Sequence, residues 1–201
     1  MGSKGKTDVT AGKWMFNHSN WTIPNVLTLV RILLTPAIVM AFVNHHLELV
    51  WIIFAIAGFT DALDGFLART LDQRSLLGAV LDPLADKILL DTTYICIGLQ
   101  GWVPPWLVVL VVSRDFIIVG GLSLLGFLGV DVTTKINPSM ISKCNTAVQV
   151  VQVITILVAR TFGWDLATPE SLLVFLVTAL TSISGVHYLL KGIAFFSEGD
   201  G

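Results

Sequence analysis

The chain has 201 residues, of which 54% are apolar and 13% charged, with a mean hydropathy of +0.81. A soluble domain carries about 25% charged residues, so this composition excludes an ordinary soluble globule, and its apolar content excludes a disordered chain. A net charge of -2 excludes the basic field of a nucleic-acid binder, and Cys96 and Cys144, both in apolar context, exclude a disulfide framework.

A helix needs about 20 apolar residues to cross a bilayer. Six stretches qualify: residues 23–43, 49–69, 76–99, 104–128, 138–159 and 171–196. The predicted fold is an all-α integral membrane protein with six transmembrane helices over residues 23–196. Residues 1–22 form a polar tail and a short interfacial segment, marked by Trp14, Met15, Phe16 and Trp21, because tryptophan prefers the headgroup level. Residues 197–201 form a C-terminal tail. His45 and His46 fall in the first loop, and Gly101 with Pro104-Pro105 marks the turn between spans three and four.

With six spans, Lys4, Lys6, Lys13, Arg69, Arg74, Lys135, Lys143 and Lys191 lie on one side and only Arg160 on the other. The positive-inside rule then places both termini in the cytoplasm. No organelle-targeting leader precedes the first span, and the expected location is therefore a bacterial plasma membrane.

The remaining cations, Arg31, Lys87 and Arg114, fall within spans, as do Asp61, Asp64, Asp82, Asp86, Asp91 and Asp115. Each costs about 2.5–3.5 kcal/mol at mid-membrane and needs a reason to be there. Asp61 and Asp64 share a face at the cytoplasmic end of span two, and Asp82 and Asp86 share one at the start of span three. The short loop makes these spans antiparallel neighbours, so the two faces meet at one depth. Four adjacent carboxylates repel and call for cations. Oxygen donors suit Mg²⁺, Mn²⁺ or Ca²⁺, and four carboxylates suffice for two ions, an arrangement used in phosphate chemistry. The alternative is that these aspartates cap helix ends or sit solvated in the loop. Gly65, Ala68 and Gly78 allow a nucleotide, or equally a packed helix, to approach closely, and Arg69 suits a phosphate. No Gly-x-x-x-x-Gly-Lys-[Ser/Thr] is present, so this is not a P-loop.

Read in order, the interval is Asp61-x-x-Asp64-Gly65-x-x-Ala68-Arg69, eight residues, then Gly78-x-x-x-Asp82-x-x-x-Asp86. It resembles, at every fixed position, the signature of the CDP-alcohol phosphotransferase (phosphatidyltransferase) family. The resemblance implies that Asp61, Asp64, Asp82 and Asp86 bind two divalent ions, Mg²⁺ or Mn²⁺. It implies that Gly65, Ala68, Arg69 and Gly78 hold the CDP portion, that Asp86 is the general base, and that the protein is a homodimer. Asn25, Thr28 and Arg31 line one face of span one and resemble the family's Pro-Asn-x-x-Thr-x-x-Arg start. They read as contacts to the nucleotide pyrophosphate, the alternative being a cap with Arg31 reaching to the interface.

A basic group of Arg114, Lys135 and Lys143 reads as an acceptor site, with a local Arg114–Asp115 ion pair and ordinary loop charges as the alternatives. The stretch 75–89 resembles the cardiolipin synthase and phosphatidylglycerophosphate synthase branch, and 141–149 resembles the eukaryotic-type cardiolipin synthases. That implies transfer of a phosphatidyl group from CDP-diacylglycerol to phosphatidylglycerol, or alternatively to glycerol 3-phosphate, with release of CMP. An ion-coupled transporter is the rival class, since intramembrane aspartates also serve proton relays.

Overall fold

The computed structural model describes the backbone of residues 23–70, 76–127 and 140–198, and within them the side chains of 28–61, 84–121, 140–188 and 190. The predicted interfacial segment and both tails lie outside the described residues, apart from the last helical turn.

Six helices run along the chain: α1 (Ile23–Val43), α2 (Leu47–Thr70), α3 (Leu76–Leu99), α4 (Pro105–Phe127), α5 (Met140–Phe162) and α6 (Ala167–Glu198). Two coincide with the predicted spans to the residue. The others differ by one to four residues at their ends, most at the start of α6. There Asp165 accepts a hydrogen bond from the Ala167 amide at 3.3 Å, an N-terminal cap that starts the helix before the apolar run does.

Three turns at one end of the bundle share a construction. After α1 the His46 amide donates to Ala41, after α3 the Trp102 amide to Ile97, and after α5 the Trp164 amide to Ala159, at 2.9, 3.0 and 3.1 Å. Each closure needs one left-handed residue, supplied by His45 (φ 57°), Gly101 (φ 73°) and Gly163 (φ 68°). An Arg160–Glu170 ion pair at 3.0 Å spans the last of these turns.

α1 packs against α2 and α3. α3 packs against α4 and α5, α2 against α5, and α6 against α4 and α5. The core runs through Ile38, Phe42, Val50, Phe54, Ile97, Leu107, Val111, Val153, Ile156 and Leu157, all buried. Large apolar side chains also cover the outside, among them Leu33, Phe59, Leu99, Val109, Phe116 and Phe175. Such a surface suits lipid rather than water. Among the described residues, Met140–Phe162 and Ala167–Tyr188 are, by length and composition, long and apolar enough to cross a membrane.

α3 and α4 approach closely at Gly98, where an added Cβ would stand 2.5 Å from Val108 Cγ2. Valine is stiff at χ1 and cannot swing aside. Gly98→Ala should therefore destabilise the protein by about 1–3 kcal/mol, and Val108→Ala should recover part of that loss. Thermal unfolding of the purified variants in detergent measures both.

Candidate active site

Arg31 lies on α1 about 20 Å from the first turn, counting 1.5 Å per residue. Asp61 on α2 and Asp86 on α3 are at similar distances from their own turns, and the three side chains meet. The Arg31 guanidinium is 1% exposed. It donates a hydrogen bond to Asp86 and stands 3.3 Å from Asp61 Oδ1. Asp61 and Asp86 are 51% and 42% exposed, so the cation is buried while its carboxylates face outward. Thr28, one turn earlier on the same face, is also buried. One turn later Thr35 donates to the Arg31 carbonyl at 3.2 Å, ahead of Pro36, which has no N–H to give the helix. Arg31 therefore points into the bundle and does not reach along the helix to an interface.

A second polar cluster adjoins the first. Lys87, next to Asp86 but about 100° around the helix, donates to Asp115 on α4 at 2.7 Å and to Thr146 on α5 at 3.3 Å. The other Asp115 oxygen accepts from Arg114. Arg114 also donates to Ser142 on α5, at 2.7 Å, and to Ser184 on α6. Arg114 and Asp115 are 4% and 1% exposed. Asp91, one turn beyond Lys87, lies beside Asp115, Lys87 and Arg114, and its Oδ1 is buried without a hydrogen-bond partner among the described residues.

Among the residues singled out in the sequence, the structure thus brings together Arg31, Asp61 and Asp86. Arg114 forms the local ion pair with Asp115 given above as the alternative. Lys143 is exposed on α5. Asn25, Asp64, Gly65, Ala68, Arg69, Gly78 and Asp82 belong to described helices, but their side chains lie outside the described residues, as does the whole of Lys135. Sequence reasoning missed the partners of Lys87, namely Asp115 and Thr146. It also missed the buried face of α5, where Asn145 accepts from Thr181 at 3.0 Å and Gln152 from Tyr94 at 2.7 Å. The readable signal for that face was three amides, Asn145, Gln149 and Gln152, at helical spacing in an otherwise apolar stretch.

The described residues contain no group of three or more metal-ligating side chains. Asp61 and Asp86 nevertheless fit as members of a hard-cation site. They offer carboxylate oxygens from two helices, converge on one guanidinium, and stay about half exposed.

Residues 21–186 match the family model described as CDP-alcohol phosphatidyltransferase. The chain is similar to cardiolipin synthase (CMP-forming) of Homo sapiens, 32% identical over 96% of this chain and 71% of that protein. It is similar to a cardiolipin synthase (CMP-forming)/mitochondrial hydrolase fusion protein of Schizosaccharomyces pombe, 32% identical over 89% of this chain. It also resembles a chloroplastic CDP-diacylglycerol–glycerol-3-phosphate 3-phosphatidyltransferase of Oryza sativa, 34% identical over 91% of this chain. This chain spans 32% of the fusion protein's length and 59% of the rice protein's.

Arg31→Gln removes the charge between two facing carboxylates. Breaking a buried pair costs about 3–5 kcal/mol, and the exposure of both aspartates reduces that to about 1–3 kcal/mol. Mg²⁺ should then raise the melting temperature of Arg31→Gln more than that of the wild type, and adding Asp86→Asn should remove the difference. Equal responses to Mg²⁺ in all three proteins would show that the aspartates do not bind the ion.

Proposed function

The chain belongs to the CDP-alcohol phosphatidyltransferase family, and on that premise we propose that it transfers the phosphatidyl group of CDP-diacylglycerol to phosphatidylglycerol, forming cardiolipin and CMP. Family membership selects an enzyme over a transporter. The observation that carries the reading is the convergence of Asp61 and Asp86, first and last aspartates of the signature, on the buried Arg31.

In this reading Asp86 accepts the proton of the acceptor hydroxyl. The oxygen so exposed attacks the β-phosphorus of CDP-diacylglycerol, the bond to the bridging oxygen breaks, and CMP leaves. Asp61, Asp64, Asp82 and Asp86 would hold divalent ions, Mg²⁺ or Mn²⁺, which supply charge neutralisation at the phosphates. Arg31 holds Asp61 and Asp86 in register. Asn25, Thr28, Gly65, Ala68, Arg69 and Gly78 are assigned to the CDP portion. Catalysis of this kind rests on positioning and electrostatics.

Both lipids are amphipathic, and their headgroups must reach the aspartates while their chains stay in the bilayer. We place six spans in the membrane, the site toward the cytoplasm, and two copies in the assembly. The apolar exterior supports the spans, the lysine and arginine distribution supports the orientation, and the dimer rests on family resemblance alone. A cleft of about 300 Å³ between α4 and α6 has Arg114 in its wall and otherwise mainly apolar residues, including Ile117, Ile118 and Val186. It supports a diacyl acceptor. The rice relative's name favours glycerol 3-phosphate as the second reading.

The test is CMP release by purified protein with CDP-diacylglycerol and Mg²⁺ or Mn²⁺, offering each acceptor separately. Release with phosphatidylglycerol alone is expected, with a loss of about 10²–10⁴-fold in Asp86→Asn. Release with glycerol 3-phosphate alone would change the acceptor, and full activity in Asp86→Asn would remove the assigned base.

A further inference from the structure

Asp86 and Lys87 are neighbours on α3 that serve different halves of the bundle. Asp86 meets α1 through Arg31, which also pairs with Asp61 on α2. Lys87 meets α4 through Asp115 and α5 through Thr146. Asp115 is itself held by Arg114, which is tied to Ser142 on α5 and Ser184 on α6. All six helices are therefore connected by polar contacts that pass through two consecutive residues of one helix.

We propose that Lys87 and Asp115 are positioning residues: their ion pair, braced by Arg114, fixes the rotation of α3 and so holds the Asp86 carboxylate against Arg31. The proposal rests on Asp86 being the base of the transfer reaction. The geometry carries it. Apolar contacts along α3 are not directional, so they set the angular position of Asp86 less sharply than two ion pairs do. An ion pair on one face and another about 100° away act as two struts that stop rotation in either sense. A rotation of about 20° would move a carboxylate about 6 Å from the helix axis by roughly 2 Å. A misplacement of that order costs about a hundredfold in rate.

The design also explains why Lys87 is present. At 22% exposed, and bonded to Asp115 and Thr146, its ammonium is committed to the bundle. Asp115 takes a cation on each oxygen, so neither Lys87 nor Arg114 lies buried without a counter-charge.

The experiment compares wild type with Lys87→Met, Asp115→Asn, the pair Lys87→Met/Asp115→Asn and Lys87→Arg, in detergent well below the unfolding transition. The two single variants and the pair should lower kcat for CMP release about 10- to 100-fold, with KM for CDP-diacylglycerol and the acceptor nearly unchanged. Lys87→Arg, which keeps the ion pair, should restore most of the rate. An unchanged kcat in the pair variant would reduce the network to a stability element and overturn the proposal. So would a raised acceptor KM at unchanged kcat, which would make Lys87 a substrate contact.

A second readout needs no turnover. With Cys144→Ser, and Cys96 buried, Asp86→Cys places a reporter thiol at the site. Its alkylation by a small neutral maleimide should change by about threefold or more when the pair variant, which leaves the charge balance unaltered, is added. No change would overturn the proposal. If wild type released no CMP at all, the assigned activity would fail while this labelling comparison would still decide the positioning.

Discussion

The arrangement at the site end of the bundle depends on one buried guanidinium. Arg31 has almost no access to solvent, and a cation in such a place must be paired or it destabilises the fold. Among the described residues it is paired by bringing α2 and α3 to α1 at a single depth, with Asp61 and Asp86 facing the same group. That requirement helps to fix the register of three helices. It also leaves both carboxylates half outside the bundle. The cluster is therefore buried on its Arg31 side and open on its carboxylate side.

α3 is the helix on which the two polar clusters turn. A run of carboxylates and a lysine inside a long apolar helix would be costly if each charge were alone. The cost falls because successive residues face different neighbours. Asp86 is matched from α1, and Lys87 from α4 and α5. Each pairing then requires the other, because a helix turned to improve one contact would spoil the second. Asp91, beside the second cluster with one oxygen lacking a partner among the described residues, marks where this matching is incomplete.

Much of this was legible in the sequence. Apolar runs of bilayer length between turn residues located all six helices, because in lipid every backbone group must be satisfied within its own segment. The motif spacing indicated that Asp61 and Asp86 meet, since a short connection makes α2 and α3 antiparallel neighbours. Arg31 was placed on the correct face, but its partners were not foreseen. Which neighbour a helix face meets depends on how six helices are arranged, and helical periodicity does not contain that information. Lys87 and Asp115 were unreadable for the same reason, being far apart in the chain and on spans with no short connection. Arg114 showed how local and distant signals compete. Its neighbour Asp115 suggested the ion pair that is formed, and the loop lysines suggested a shared pocket that depended on contacts no spacing specifies.

The buried face of α5 gives the physical reason for these polar contacts. Where lipid surrounds a bundle, moving apolar side chains from lipid into the interior gains little, so helices are held by close packing and by hydrogen bonds that lipid cannot replace. Asn145, Gln149 and Gln152 are fully buried on one face of α5, and two of them bond across to α6 and α3 through Thr181 and Tyr94. These bonds lie deeper in the bundle than the ion pairs and continue their line. Apolar residues such as Phe116, Phe175 and Val186 meanwhile face outward, where a soluble protein would carry charge. Buried polar groups among the described residues thus link particular helices to one another. That internal polar line reaches the surface at Asp61 and Asp86, the candidate site.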